Sequence, residues 1–99
     1  MARFVGGAVV VLPFPFTDLS SAKVRPALVL ASVSRGDLIL CQITSQAAGH
    51  PEAVPILAED FEPGETLRSA SFALPHRVVT ANEVCVRRGA GTLKLDKLS

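Results

Sequence analysis

The chain has 99 residues and a mass of 10.4 kDa, enough for one compact domain and too little for a multidomain enzyme. Its composition is 48% hydrophobic and 19% charged, which excludes the disordered class. The net charge of +1 gives no overall attraction to polyanions, so nucleic-acid binding would depend on a local group of side chains. We expect a single folded domain over residues 1–99.

The N-terminal apolar run is read as part of the fold and not as a signal peptide. Pro13 and Pro15 interrupt it, and no small-x-small cleavage site follows before Asp18. No segment approaches the ~20 continuous apolar residues that span a bilayer. Cys41 and Cys85 lack metal-type spacing, and we interpret them as reduced packing thiols. These features predict a cytoplasmic protein without membrane contact.

Short apolar runs separated by Gly, Pro, Ser and Asp predict a mainly β chain. Val9–Leu12, Ala27–Ala31 and Leu38–Leu40 are continuously apolar, so we expect both faces of these segments to be covered. In so small a protein this requires either a closed barrel or a dimer. The predicted strands are Ala8–Leu12, Ala27–Ala31, Leu38–Ile43, Ala53–Leu57, Ser71–Thr80 and Val84–Arg88.

The connection between the first two predicted strands, Pro13–Lys23, is long for a hairpin. Pro13 and Pro15 fix φ and remove backbone donors there, which favours an extended segment over a helix. Helical structure is expected only as a turn at Ala58–Phe61 and another at Leu93–Leu98.

The segment Ser34–Asp37 predicts a tight turn that joins two antiparallel strands. Such a hairpin brings Arg25 near Thr44 and Ser45. An arginine beside hydroxyl groups can grip a phosphate, since guanidinium forms two parallel bonds to phosphate oxygens. Alternatively, Arg25 is a surface charge and the two hydroxyls satisfy backbone groups at a strand end.

No metal or nucleotide cofactor is predicted from the sequence. His50 and His76 lie apart in the chain and belong to no H-E-x-x-H or C-x-x-C arrangement. The pair Gly6-Gly7 lacks the spacing of a phosphate-binding loop.

Three segments in order resemble the PemK/MazF family of toxin endoribonucleases. They contain the elements Pro-Phe-Pro-Phe-Thr-Asp-Leu, Arg-Pro-Ala-Leu-Val-Leu and Ile-Thr-Ser-Gln, and they are Gly7–Ser20, Lys23–Leu30 and Ile39–Gln46. Weaker similarity to later elements of the family covers Leu67–Ser71 and Arg88–Leu93.

The resemblance implies a small SH3-like β-barrel of MazF/CcdB-like architecture with one or two short helices, assembled as a homodimer. It also implies metal-independent, sequence-specific cleavage of single-stranded RNA, and thereby inhibition of translation and growth by a toxin of a type II toxin–antitoxin system. A MazE-like antitoxin would fill the RNA groove. The family's catalytic pair maps to Arg25 and Thr44.

Eight further positions are predicted to contact RNA. The two phenylalanines would stack on unpaired bases or, alternatively, pack in the core. His76 is also a candidate acid or base, against the alternative of a structural strand histidine. The predicted RNA-binding residues are Phe14, Phe16, Thr17, Lys23, Ser45, Gln46, Ser71 and His76.

This chain departs from the family pattern in three places. Ala8 replaces an acidic residue, and Leu74 and His76 stand where many members have a charged pair. The C-terminal helix, confined to Leu93–Ser99, is also short. These departures motivate a second hypothesis, a catalytically impaired barrel that binds protein or RNA, and fold alone also leaves a gyrase-poison relative as a third.

Overall fold

The computed structural model describes residues 4–14, 23–46, 48–64 and 71–94, with Phe14 and Lys23 described by backbone only. Within these residues no helix is long and apolar enough to cross a membrane. The chain folds mainly as β structure, as the short apolar runs predict. Its strands are β1 (Ala8–Phe14), β2 (Lys23–Ser32), β3 (Asp37–Thr44), β4 (Val54–Ile56), β5 (Ser71–Asn82) and β6 (Arg88–Thr92).

The six strands form one antiparallel sheet in the order β4-β5-β3-β2-β1-β6. The segments that follow the two edge strands meet, because Phe61 after β4 forms a β-bridge with Leu93 after β6. Two backbone hydrogen bonds flank this bridge, from Glu62 N to Thr92 O at 2.7 Å and from Lys94 N to Asp60 O at 2.8 Å. The sheet therefore curls until its edges approach, which gives a barrel-like shape.

The predicted hairpin between β2 and β3 is confirmed, and its turn is tight. The turn comprises Ser34–Gly36, and two of its residues adopt left-handed backbone conformations, Arg35 with φ 64° and Gly36 with φ 79°. Asn82 of β5 holds it, since Nδ2 donates to Arg35 O at 2.9 Å and to Asp37 Oδ1 at 3.0 Å. This clamp fixes the hairpin against the next strand.

Alternate residues of the central strands pack on opposite faces of the sheet, as the pleat requires. The prediction that Val9–Leu12 is covered on both faces is confirmed, because each of its side chains is at most 9% exposed. One layer of core residues comprises Val9, Val11, Leu28, Cys41, Ile43, Ile56, Phe61, Ala73, Ala90 and Leu93. The other comprises Val10, Leu12, Ala27, Val29, Leu38 and Leu40.

The last predicted strand was wrong in its position. Val84 and Cys85 belong to a 3-10 turn, Glu83–Cys85, in which Asn82 Oδ1 accepts a hydrogen bond from Val84 N. The strand begins later and contains Gly89 and Gly91, which have low β-propensity. Pairing with β1 overrides that weak local preference.

The predicted long connection after β1 was too wide at both ends. Pro13 pairs with Val24, and the backbone of Phe14 pairs with that of Lys23, so these residues belong to β1 and β2. Leu30 also departs from prediction, since it is 45% exposed. The β2–β3 register shifts between Val29 and Ala31, and this bulge takes Leu30 out of the regular ladder.

The first predicted helical turn is confirmed as a 3-10 turn at Ala58–Asp60, where Leu57 N donates to Asp60 Oδ2 at 2.8 Å. The second is not helical at Leu93, which forms the bridge, and residues 95–99 lie outside the described part. Both cysteines are free. Cys41 is a buried packing thiol as predicted, whereas Cys85 is exposed and does not pack in the core.

Candidate functional site

Arg25 and Thr44 lie near the ends of β2 and β3 that are distant from the β2–β3 turn. Arg25 pairs with Leu12 of β1 on one side, and Thr44 pairs with Phe72 of β5 on the other. Between β2 and β3, Leu28 pairs with Cys41 and Ala27 with Gln42. The observed β2–β3 pairs end there, so the proximity of Arg25 and Thr44 that the hairpin predicts, which needs this register to continue by two residues, stays a prediction.

The side chains of Arg25 and Thr44 share one face of the sheet. Ala27 and Val29 belong to the same core layer as Leu40, and alternation along each strand puts positions 25 and 44 on that face. Both side chains are half-buried. The observed β2–β3 pairs end at Ala27–Gln42, and the next residue of β2 is Pro26, which has no N–H to donate.

Thr44 holds the turn that follows β3. Its Oγ1 accepts a hydrogen bond from Gln46 N at 3.2 Å. A hydroxyl that already accepts one bond is polarised and becomes a better donor through its own hydrogen. The guanidinium of Arg25 offers five N–H donors and no acceptor. A guanidinium and a hydroxyl side by side would be a donor pair suited to the oxygens of a phosphodiester.

Gln42, which was not among the predicted site residues, lies two residues before Thr44 on the same face of β3. It is 7% exposed, and its Oε1 has no hydrogen-bond partner within the part of the chain that the structure describes. Its neighbour Cys41 faces the opposite core layer, where the thiol donates to Leu74 O at 3.1 Å. Burial raises the pKa of the Cys41 thiol. The thiol is therefore a packing group.

Seven of the eight residues predicted to bind RNA fall into three groups. Ser45 and Gln46 are exposed directly beyond Thr44. Ser71 is 6% exposed and pairs with Ile56 of β4, which favours a structural role, so its contact with RNA remains a prediction. Phe16 and Thr17 and the side chains of Phe14 and Lys23 lie outside the described residues.

His76 is exposed on a bend of β5. Cys41 pairs with Val78 and Ile43 pairs with Ala73, so four residues of β5, 74–77, face a single residue of β3. The fold also brings in two residues from the β3–β4 connection, His50 and Glu52. His76 Nδ1 lies 2.8 Å from Glu52 Oε1, and the two imidazole centroids are 5.3 Å apart. Separation along the chain was therefore a poor guide to the distance between the two histidines.

Leu74 and Ala8, two of the departures from the family pattern, both lie in β strands. Leu74 is 1% exposed and supplies a carbonyl to the Cys41 thiol. Ala8 is half-buried at the start of β1 and lines a cavity of about 480 Å³ between β1 and β6. Glu62 is the single ionisable side chain that lines this cavity, among the described residues, so the cavity offers little chemistry.

Comparison with known proteins identifies the fold. No family model matches the sequence. No curated protein matches it either. Solved structures do: MazE–MazF (Form-III) from Deinococcus radiodurans has 25% identity and a TM-score of 0.72, covering 96% of this chain and 85% of that one.

Two further structures from the same organism agree with this result. MazF in Form-I also has 25% identity and a TM-score of 0.72, over 96% of this chain and 86% of that one. MazE–MazF in Form-II has 24% identity and a TM-score of 0.66, with 96% and 84% coverage. The resemblance drawn from the sequence motifs is thus confirmed in three dimensions: this chain has a MazF-like fold.

Proposed function

We propose that the protein is the toxin of a type II toxin–antitoxin system and acts as a metal-independent, sequence-specific endoribonuclease on single-stranded RNA. The observation that carries this proposal is the β2–β3 register on a MazF-like sheet, in which Leu28 pairs with Cys41 and Ala27 with Gln42; continued by two residues, it would set Arg25 opposite Thr44. The family motifs around both residues support it. Fold alone would not, because one fold can host many activities.

Cleavage proceeds through the ribose 2′-oxygen. That oxygen loses its proton and bonds to phosphorus, forming a pentacoordinate phosphorane, and the bond to the 5′-oxygen then breaks as that oxygen takes up a proton. The products are a 2′,3′-cyclic phosphate and a 5′-hydroxyl. Negative charge increases on the non-bridging oxygens in the transition state, so fixed donors placed there accelerate the step.

Arg25 is assigned to that charge, because guanidinium remains protonated and binds two phosphate oxygens at once. It is not an ordinary base. Thr44 orients the phosphate or relays a proton through its hydroxyl, which the Gln46 N–H polarises. Ser45 and Gln46, exposed next to it, are the described neighbours best placed to hold flanking RNA.

The proposed protein partners are an antitoxin and a second copy of this chain. Two of the similar structures are MazE–MazF complexes, which supports a MazE-like antitoxin as the partner that covers the RNA surface. A homodimer is supported by the apolar residues left exposed around the β2–β3 turn, Val33 at 45% and Val84 at 81%. The proposed compartment is the cytoplasm, where messenger RNA is available.

The test is incubation of the purified protein with a long single-stranded RNA in EDTA, followed by mapping of fragment ends. Discrete cuts that carry 2′,3′-cyclic phosphates support the proposal. As a matched control, an oligonucleotide with a single 2′-deoxyribose before the mapped phosphate should stay intact. Cuts at that deoxy position would contradict 2′-oxygen attack.

A second candidate function is a catalytically impaired barrel that binds protein or RNA. It is favoured by Leu74, which is uncharged and 1% exposed where the family pattern has part of a charged pair. This candidate predicts that the folded protein binds an antitoxin or RNA but leaves several different RNAs uncut. Metal-free cleavage by the wild type eliminates it.

A further inference from the structure

Three ligating side chains converge at the bend of β5. His50 and Glu52 come from the β3–β4 connection, and His76 comes from the bend. One nitrogen or oxygen of each lies within 4.8 Å of the others. Glu52 Oε1 is central to the group, at 2.8 Å from His76 Nδ1 and 3.9 Å from His50 Nδ1.

These distances are close to those of a tetrahedral metal site. Ligand atoms at about 2.0–2.2 Å from Zn²⁺ lie roughly 3.3–3.6 Å from one another. The observed separations of 2.8 and 3.9 Å lie on either side of that value, so small rotations of exposed side chains suffice. The three side chains are between 25% and 42% exposed, which leaves them room to rotate and leaves a path for the ion.

The donor set indicates which class of ion would bind. Two imidazoles and one carboxylate are typical ligands of zinc and of other late divalent transition metals. Hard cations such as Mg²⁺ prefer an all-oxygen shell, so they should bind weakly to a group in which two of the three ligands are imidazoles. We propose that His50, Glu52 and His76 form a surface site for one divalent transition-metal ion of the zinc class, with solvent completing its coordination.

Such an ion would join the β3–β4 connection to β5 at the point where β5 leaves its regular register. Without metal, the connection is held to His76 by the Glu52 contact, which is an exposed interaction and individually weak. Metal ligation is stronger, and ions that bind only the folded state raise its stability. The site does not include Arg25 or Thr44, and it stands whether or not the protein cleaves RNA.

The test is calorimetric titration of untagged, metal-free protein with Zn²⁺, in a Cys85→Ser background that removes the exposed thiol as a competing ligand. The expected result is one ion per chain and a higher melting temperature with Zn²⁺ but not with Mg²⁺. His50→Ala, Glu52→Gln and His76→Ala should each weaken binding by about tenfold or more, since each removes one of three protein ligands. Glu59→Gln, which removes an exposed carboxylate outside the group, is the matched control and should bind as the parent does.

Two results would overturn the proposal. One is the lack of a saturable Zn²⁺ site in the folded parent protein. The other is binding that survives in the Glu52→Gln and His50→Ala variants, because the ion would then sit elsewhere. Circular dichroism checks that each variant is folded, and having three independent variants keeps the test decisive if one fails to fold.

Discussion

Ala27 of β2 pairs with Gln42 of β3, and this pair fixes the geometry of the candidate site. Two residues further along each strand, towards the same end of the sheet, stand Arg25 and Thr44. The pairing also buries the Gln42 side chain against the layer that contains Ala27, on the face that Arg25 and Thr44 share. A polar amide therefore lies directly behind the proposed phosphate-binding pair.

Replacing Gln42 with methionine is predicted to stabilise the protein. The buried Oε1 has no partner among the described residues, and an unsatisfied buried acceptor costs about 1–3 kcal/mol. Methionine fills a similar volume without that cost, so urea denaturation should give a free energy of unfolding higher by about 1 kcal/mol. Gln42→Glu, which buries a charge, should be less stable than the parent; a Gln42→Met variant less stable than the parent would contradict this account.

Substitution by alanine is predicted to lower the free energy of unfolding strongly at Leu40 and only slightly at Leu30. Leu40 is fully buried between β2 and β5, so Leu40→Ala leaves a cavity and should lower the free energy of unfolding by about 2–5 kcal/mol. Leu30 sits in the bulge at 45% exposure, and Leu30→Ala makes the same chemical change on the surface. We expect the second variant to lose much less stability in chemical denaturation. Equal losses would mean that Leu30 is covered.

The buried thiol of Cys41 is predicted to lower the free energy of unfolding at alkaline pH. Burial raises the pKa of its thiol above the ordinary value of 9.0, so the folded protein keeps a proton that the unfolded chain releases. The stabilisation is complete below the unfolded pKa and is lost as pH rises from about 9 through the folded pKa. Urea titrations from pH 8 to 10.5 should show a steeper fall for the parent than for Cys41→Ala. Cys85→Ala, at an exposed thiol, should follow the parent, and parallel curves for the parent and Cys41→Ala would refute the linkage.

Exposed apolar residues near the β2–β3 turn are the proposed dimer interface. Val84 is 81% exposed in the 3-10 turn that packs beside this hairpin through Asn82. If this apolar end forms the proposed dimer interface, Val84→Glu introduces repulsion there and should give monomers in light scattering. Thr80→Glu, at an exposed position on β5, is the control and should remain dimeric. A Val84→Glu protein that stays dimeric would place the interface elsewhere.

Local pattern and family motifs predicted much of this fold. The tight turn at Ser34–Gly36 and the strands beside it follow from apolar runs around a glycine, and hairpin register then follows from the turn. β6 was misplaced because its two glycines carry no local strand preference, and its pairing with β1 is a long-range effect. The contact of Glu52 with His76 was missed for the same reason, since it depends on how β5 bends. Gln42 Oε1 has no hydrogen-bond partner among the described residues, and this is a property of packing that no sequence period reveals.

The central claim is that Arg25 and Thr44 act together on RNA without a metal. The most direct measurement is the single-turnover cleavage rate of one mapped RNA site in EDTA for the parent, Arg25→Ala, Thr44→Ala and the double variant. We predict that Arg25→Ala slows cleavage by about 100-fold or more, the usual cost of removing a transition-state donor, while the circular dichroism spectrum is unchanged. Thr44→Ser, which keeps the hydroxyl, should retain most of the rate, and the double variant should lose less than the product of the single losses. A folded Arg25→Ala protein that cuts the same site at the parent rate would contradict the account.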